Sequence, residues 1–328
     1  ERLDRLRHVP TVDGLADEAG LVIECAIEEL ALKRTIFRTL DGVADASVIL
    51  ATNTSALSVA EIAEVTTRPD RVIGLHFFNP APIMALVEVV APPLADPRVV
   101  ARAVATMTAW GKTPVICADS PGFIVNRVNR PFTLEALALL ADGRGSIESI
   151  DGAMRAAGFP IGPFELMDLT GIDVTLATSS EIFERSRASG DVLAERFRPS
   201  PIQERLVTSG RLGRKTGTGF YEYGSDGRPT GPASGSLVGE TSGADLPADT
   251  IAMRITLAII NEAHRALGER VATTAEIDLA MRLGAGHPIG PFERAAVLGG
   301  PVAVREALGE FANDGPRFEP APVLSTID

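Results

Sequence analysis

Cysteine is nearly absent from this sequence, with Cys25 and Cys117 the two in 328 residues. So sparse a set excludes a disulfide framework, and no Cys/His spacing of the zinc type occurs. Both cysteines sit in apolar, strand-like runs, which predicts buried, reduced and inert thiols. Excess positive charge is lacking too. A net charge of −12 argues against nucleic acid, because phosphate neutralisation needs clustered Lys and Arg, and against an anionic membrane surface. A small anionic ligand stays compatible where local basic groups or helix N-termini meet it. No uninterrupted apolar run has membrane-spanning length, and no secretory signal opens the chain, so a cytoplasmic address is the default expectation. The chain opens at Glu1 in mid-pattern rather than at a methionine, which predicts further sequence upstream.

What is present is enough to fill real cores: 45% of residues are hydrophobic and 23% charged, over a length that suits two or three domains. Residues 1–119 alternate strand and helix. Leu21-Val22-Ile23-Glu24 reads as a buried strand and Glu28 to Leu40 as a helix with Leu30, Ile36, Phe37 and Leu40 on one face. Val48 to Ala51 is the next strand. Ser58 and Glu61 have capping-box spacing, Val72 to Phe78 and Leu86 to Val90 are strands, and Asp96-Pro97 caps a helix that ends at Gly111. Pro114 to Ala118 is one more strand. This pattern predicts an open α/β sheet, parallel at least in its first part. The connection between the third and fourth strands is too short for a helical crossover, so that pair is expected to be antiparallel.

From Pro121-Gly122 onward the pattern is helical, and it repeats. Ile150-Asp151-Gly152-Ala153-Met154-Arg155 is echoed by Ile277-Asp278-Leu279-Ala280-Met281-Arg282, and Pro160 to Glu165 by Pro288 to Glu293. Glu135 matches Glu262, and Met253 stands where Asn126 would fall. Residues 120–223 and 249–312 therefore read as duplicated all-α domains, joined by a Gly/Ser/Pro/Asp-rich linker over 224–248 and followed by a tail over 313–328.

The chemistry concentrates at strand ends. His76, one of four histidines, closes an apolar run, and Glu88 sits among four apolar neighbours twelve residues later. Alone, His76 reads as a core histidine with a satisfied hydrogen bond, Ser55 as a turn serine, Asn126 as a helix-start residue, and Asn79 before Pro80 as turn chemistry. Glu28 and Lys33 read as solvated helix charges, and Lys215, in the glycine-rich Gly213 to Gly219 stretch, as exposed. Glu88 is the hardest to set aside, since a carboxylate in such company is costly unless paired.

Taken together, Asn53-Thr54-Ser55, Gly74 to Pro80 with Glu88, Asp119 to Arg127 and the repeated Gly-Pro-Phe-Glu block resemble the 3-hydroxyacyl-CoA dehydrogenase family, in order and spacing over nearly the whole chain. The doubled helical part is similar to bacterial 3-hydroxybutyryl-CoA dehydrogenases, including those of phenylacetate degradation. The resemblance implies an α/β Rossmann-type nucleotide-binding domain followed by two duplicated all-α domains. It implies NAD as cofactor and an acyl-CoA substrate. It puts His76 on the catalytic base, Glu88 on its orienting partner, and Ser55 and Asn126 on residues that hydrogen-bond substrate oxygens. Glu28, Lys33, Ser55, Asn79 and Lys215 fall on positions that contact the nicotinamide-ribose half of NAD or close over it. Single-repeat members dimerise through the helical domain, so the tandem form implies a pseudo-dimer within one chain, or a homodimer.

One departure stands out. The family's first strand, its Gly-x-Gly-x-x-Gly loop and the acidic residue for the adenine ribose would precede residue 1, so the N-terminal β-α-β part is expected to be lacking here. Two classes of function follow: a dehydrogenase given as a fragment, or a homologue without catalysis that serves as a helical assembly or acyl-CoA-binding module. Retention of His76, Glu88, Ser55 and Asn126 favours the first.

Overall fold

The computed structural model describes residues 6–12, 14, 19–234 and 244–325, which fall into two compact units that divide between Phe123 and Ile124. The expectations for the chain's first residues and for the middle of the linker lie outside the described residues.

The first unit is a five-stranded sheet in the order β1-β2-β3-β4-β5. Its strands are β1 (Leu21–Glu24), β2 (Ile49–Thr52), β3 (Val72–Phe77), β4 (Leu86–Ala91) and β5 (Thr113–Ala118). Helix α1 (Leu30–Val43) connects β1 to β2, α2 (Val59–Ala63) lies between β2 and β3, and α3 (Pro97–Ala109) between β4 and β5. β1, β2 and β3 are mutually parallel, β3 and β4 are antiparallel, and β4 and β5 are parallel. The caps read from sequence are in place: Ser58 Oγ accepts from Glu61 N at the start of α2, and Asp96 Oδ1 from Arg98 N at the start of α3.

Strand alternation sorts the side chains onto two faces. Ile73, Leu75, Val87 and Val89 pack with Val99, Val100, Ala103 and Met107 of α3. Gly74, His76, Glu88 and Val90 point to the other face. Gly74 has to be glycine there, because a Cβ would stand 2.7 Å from Val90 Cβ and 3.1 Å from Val59 Cγ2 of α2. Two expectations are corrected. β1 is half-buried rather than buried through Leu21, Val22 and Ile23, because it is the edge strand of the sheet. Cys25 is exposed, because β1 ends at Glu24 and the chain leaves the sheet there; Cys117, inside β5, is buried as expected. Partial burial and the neighbouring Glu24 push the Cys25 thiol pKa up, which disfavours its reactive thiolate.

The second unit is helical. Its first part holds α4 (Val125–Val128), α5 (Arg130–Ala141), α6 (Ile147–Ala156), α7 (Pro163–Thr170), α8 (Ile172–Ala188) and α9 (Pro201–Thr208). A small hairpin follows, β6 (Tyr221–Tyr223) with β7 (Pro229–Pro232). Then come α10 (Ala248–Gly268), α11 (Thr274–Gly284), α12 (Pro291–Val297) and α13 (Pro301–Glu310). The repeated motif builds the same device twice. Asp151 on α6 accepts the N–H groups of Phe164 and Glu165 at the start of α7, and Asp278 on α11 accepts those of Phe292 and Glu293 at the start of α12. Gly162 and Gly290 leave room for these carboxylates, since a Cβ at either would meet the Asp Cγ at 2.3 and 2.2 Å. Two orphan donors at each helix start are thereby satisfied.

Two boundaries differ from the expectation. The linker's first residues are not structureless: Pro229–Pro232 pairs with Tyr221–Tyr223. Residues 313–325 are not a tail. Phe318, Ala321 and Leu324 are fully buried against α10, α12 and α13. The signal was in the sequence, since Arg196-Phe197-Arg198-Pro199-Ser200-Pro201 recurs as Arg317-Phe318-Glu319-Pro320-Ala321-Pro322.

The two helical parts exchange buried ion pairs. Glu262 of α10 accepts from Arg127 (2.7 Å) and Arg196 (2.7 Å), while Glu135 of α5 accepts from Arg254 (2.5 Å) and Arg317 (2.6 Å). The partners correspond in the repeat register: Arg127 with Arg254, Glu135 with Glu262, Arg196 with Arg317. Paired carboxylates that each hold two guanidiniums are fixed in geometry, and removing one member would strand a buried charge. Phe159 and its counterpart His287 meet edge to face at 4.9 Å.

His287 gives a pH test. Burial, with Arg294 nearby, pushes its pKa from 6.5 down to about 3, so the folded chain holds it neutral while the unfolded chain takes up a proton below about 6.5. Its contribution to stability is complete above that pH and is lost progressively as the pH falls toward about 3. The expected slope is up to about 1.4 kcal/mol per pH unit. Urea midpoints at pH 7 and pH 5 should show this slope, and His287→Phe, which copies residue 159, should flatten it. An unchanged slope in the variant would assign the dependence elsewhere.

Candidate active site

The register of β3 against β4 places His76 directly opposite Glu88, on the same face of the sheet. The Nδ1 of His76 lies 2.6 Å from Oε2 of Glu88, whose side chain is fully buried. A carboxylate can only accept, so Nδ1 carries the proton and the free lone pair is on Nε2. The imidazole is held from above as well. Phe78 and Phe123 rings lie 4.6 and 5.7 Å from it, centroid to centroid. Phe123 follows a turn with Pro121 and then Gly122 at φ +75°, and itself adopts φ +52°. Such a conformation costs of order 1–3 kcal/mol for a bulky residue, and full burial of the ring is what offsets it.

A second cluster forms where β1 and β2 end. Lys33, read from sequence as a solvated helix charge, is 1% exposed and pairs with Glu24 at 2.9 Å. Its Nζ also donates to the carbonyl of Ala26 and lies 3.4 Å from Glu28. Glu24 accepts from Thr52 Oγ1 at 2.7 Å. Glu28 precedes the helix instead of starting it, and its Oε1 accepts from Thr54 Oγ1 (2.6 Å), Ser55 N (2.9 Å) and Ala56 N (3.2 Å). Burial alone would raise the Glu28 pKa; the Thr54 and Ser55 hydrogen bonds and the Lys33 charge outweigh it and hold the carboxyl below its usual range. Ser55 is thus fixed by its backbone, and the hydroxyl of this half-buried residue donates to the same Glu28 oxygen over a long 3.4 Å. Asn53 Oδ1 accepts from Phe77 N (2.9 Å), tying this loop to the end of β3, beside His76. Asp119 accepts from Ser58 Oγ and Ala60 N, locking the start of α2.

Of the residues singled out from sequence, the structure brings His76 and Glu88 together, and Glu28, Lys33 and Ser55 together. Asn79 lies exposed in the loop after β3. In the second unit Asn126 is half-buried on α4, and Lys215 pairs with Asp173 of α8 at 2.6 Å. Sequence reasoning missed Glu24, Thr52 and Asp119 as members of these networks. An acidic residue ending an apolar strand was a signal for Glu24, of the same kind that made Glu88 conspicuous. No cluster of metal-ligating residues occurs among the described residues, and no helix is long and apolar enough to cross a membrane.

An α/β sheet with a His–Glu pair across an antiparallel register, followed by a helical unit, has well-defined relatives. Residues 1–120 match the 3-hydroxyacyl-CoA dehydrogenase NAD-binding domain, and residues 122–223 and 251–327 match the 3-hydroxyacyl-CoA dehydrogenase C-terminal domain. The chain belongs to the 3-hydroxyacyl-CoA dehydrogenase family. It is 33% identical to a 3-hydroxybutyryl-CoA dehydrogenase of Escherichia coli K12, with a TM-score of 0.85, over 99% of this chain and 84% of that one. It is 38% identical to (S)-3-hydroxybutyryl-CoA dehydrogenase PaaH1 of Ralstonia eutropha (TM-score 0.64, 68% of this chain and 77% of that one). Among curated proteins it is 37% identical to the fatty acid oxidation complex subunit alpha of Shewanella baltica over 94% of its length. It spans 44% of that relative's length.

The buried Lys33–Glu24 pair has a testable cost. Lys33→Met would leave Glu24 buried without its cation and should destabilise the first unit by about 3–5 kcal/mol. Adding Glu24→Gln should recover most of the loss. Denaturant midpoints of the single and double variants measure both, and a neutral single variant would show that the pair is not needed.

Proposed function

We propose that the chain carries the chemical half of an NAD-dependent dehydrogenase that oxidises an L-3-hydroxyacyl-CoA to the 3-ketoacyl thioester. Short chains such as 3-hydroxybutyryl-CoA are the proposed scale, in fatty-acid or aromatic-compound catabolism in the cytoplasm. The observation that carries this reading is the His76–Glu88 pair.

Oxidation of a secondary alcohol requires loss of the hydroxyl proton as the hydride leaves C3. Nε2 of His76, freed by the Nδ1–Glu88 contact, takes that proton, and Glu88 stabilises the resulting imidazolium without becoming protonated itself. Ser55 and Asn126 hold substrate oxygens as neutral donors that do not compete for the proton. The residues at the ends of β1 and β2 fit a nicotinamide cofactor on their chemistry. Ligands of α/β sheets bind at the carboxyl ends of parallel strands, and the part-exposed carboxylate of Glu28, the hydroxyl of Ser55 and, after β3, the amide of exposed Asn79 have the chemistry to meet ribose and carboxamide groups. When bound, NAD supplies the hydride acceptor. Lys33 acts on it only through Glu28, since its ammonium is committed to Glu24. Lys215, bound to Asp173, would have to exchange that partner to close over a cofactor.

The helical unit is read as two copies of one domain, the first over 120–223 and the second from 249 through the residues first read as a tail. The reciprocal Glu135 and Glu262 ion pairs support a pseudo-dimer within one chain.

The test is His76→Gln in a chain that carries the family's N-terminal β-α-β part. NADH formation from 3-hydroxybutyryl-CoA should fall by about 10²–10⁴ in kcat. NAD affinity, measured by fluorescence titration, should stay within about threefold, because the base is not asked to hold the cofactor. Wild-type turnover in this variant would return His76 to the role of a core histidine.

A further inference from the structure

The helical unit holds a cavity of about 420 Å³ where α6 of the first copy meets α10 and α12 of the second. That volume lies within the range of small-molecule sites, roughly 300–1,000 Å³. Alanines at 153, 156 and 252 leave the space unfilled, and Met253 and Val297 add apolar wall. Val297 is 79% exposed and Met253 37%, so this apolar surface is open to solvent. Asp249, Thr256 and Arg294 interrupt the lining with polar groups. Asp249 is exposed at the rim, where it accepts from Thr250 N in the first turn of α10. Thr256 is 6% exposed, and its hydroxyl has no hydrogen-bond partner among the described residues. The guanidinium of Arg294 lies over the Phe159 ring, 5.2 Å from its centroid, and pairs with no carboxylate among the described residues. Burial holds its pKa below the ordinary value, with no acidic neighbour to raise it.

The repeat shows how both groups come to be left open. Asn129, the counterpart of Thr256, accepts from His287 Nε2 at 2.8 Å. The partner that repeat symmetry would give Thr256 is Phe159, the counterpart of His287, and a phenyl ring has no hydrogen-bonding atom to offer. Arg294 has Leu166 as its counterpart, so an aliphatic residue serves the fold at that place and packing does not require a guanidinium. A buried hydroxyl and a half-buried cation without protein partners each carry a desolvation cost that a ligand of the right charge would offset.

We propose that this cavity, built wholly from the helical unit, is a binding site for an aliphatic monocarboxylate. The carboxylate meets the guanidinium fork of Arg294 and the hydroxyl of Thr256, and the alkyl chain lies along the alanines, Met253 and Val297. One cation and one neutral donor match a single negative charge. The Asp249 carboxylate at the rim repels a second one, which favours a chain charged at one end only. The unbranched thioether of Met253 lets the apolar wall adapt to the chain. Binding here needs neither NAD nor turnover, so it is tested apart from the dehydrogenase reading.

The experiment is calorimetric titration of the purified 328-residue protein with sodium octanoate, with 1-octanol and sodium acetate as the uncharged and chainless controls. Wild type should bind octanoate saturably, and each control at least about tenfold more weakly. Arg294→Leu, which copies residue 166, should weaken octanoate binding by about ten- to a hundredfold while its melting temperature stays close to that of wild type. Thr256→Val should weaken it by about two- to tenfold. Ala252→Phe, which fills the cavity, should abolish it. Absence of saturable binding to wild type overturns the proposal. Octanoate binding that Arg294→Leu and Ala252→Phe leave unchanged lies elsewhere on the chain and overturns it too. Equal affinity for 1-octanol makes the cavity an apolar site that does not select a carboxylate. Self-association in sedimentation velocity that Ala252→Phe removes, with no octanoate bound, assigns the surface to a second copy of the chain instead. Should Arg294→Leu fail to fold, Thr256→Val decides alone, and unchanged octanoate affinity in it overturns the assignment.

Discussion

The antiparallel pairing of β3 with β4 is the constraint on which the site depends. A strand's side chains alternate with a period of two, so a slip of one residue would turn His76 and Glu88 to opposite faces. In the register observed, His76 opposes Glu88 while Leu75 and Val89 seat the sheet on α3. The hydrophobic pattern that buries α3's face is therefore what fixes the chemical pair on the other. A histidine proton meets the fully buried Glu88, and Glu88 in turn gives His76 a defined tautomer.

Around that pair the first unit uses carboxylates as struts. Glu24 holds Lys33 and Thr52, Glu28 holds the Thr54 hydroxyl and the Ser55 and Ala56 backbone, and Asp119 holds the start of α2. Each fixes a loop or helix start that carries, or adjoins, a residue with a proposed chemical role. Preorganised surroundings of this kind let a hydroxyl such as that of Ser55 be presented without its backbone moving.

The helical unit solves a different problem with the same chemistry. Its two parts bury opposite charges reciprocally, Glu135 against Arg254 and Arg317, Glu262 against Arg127 and Arg196. Buried ion pairs add little net stability over hydrocarbon, but their geometry discriminates between alternative packings of two similar helical parts. That is a reason for a repeated chain to keep them.

Much was determined by sequence alone. The order of strands and helices, the antiparallel step, both caps, the repeat and the His76–Glu88 candidate pair all follow from local periodicity and spacing, which are properties of neighbours along the chain. Other features depended on contacts between residues far apart in sequence. Lys33 looked solvated on its helix and is buried, because Glu24 waits nine residues upstream at the end of β1. Cys25 looked buried and is exposed, because strand ends are set by pairing to β2. Residues 313–325 looked like a tail because their apolar residues are few and irregular; three of them fill the core around α10, and a guanidinium among them meets Glu135. Arg130 shows the limit most plainly: its charge is legible in the sequence, but only the fold shows that it is buried beside Ser179, with no carboxylate paired to it among the described residues.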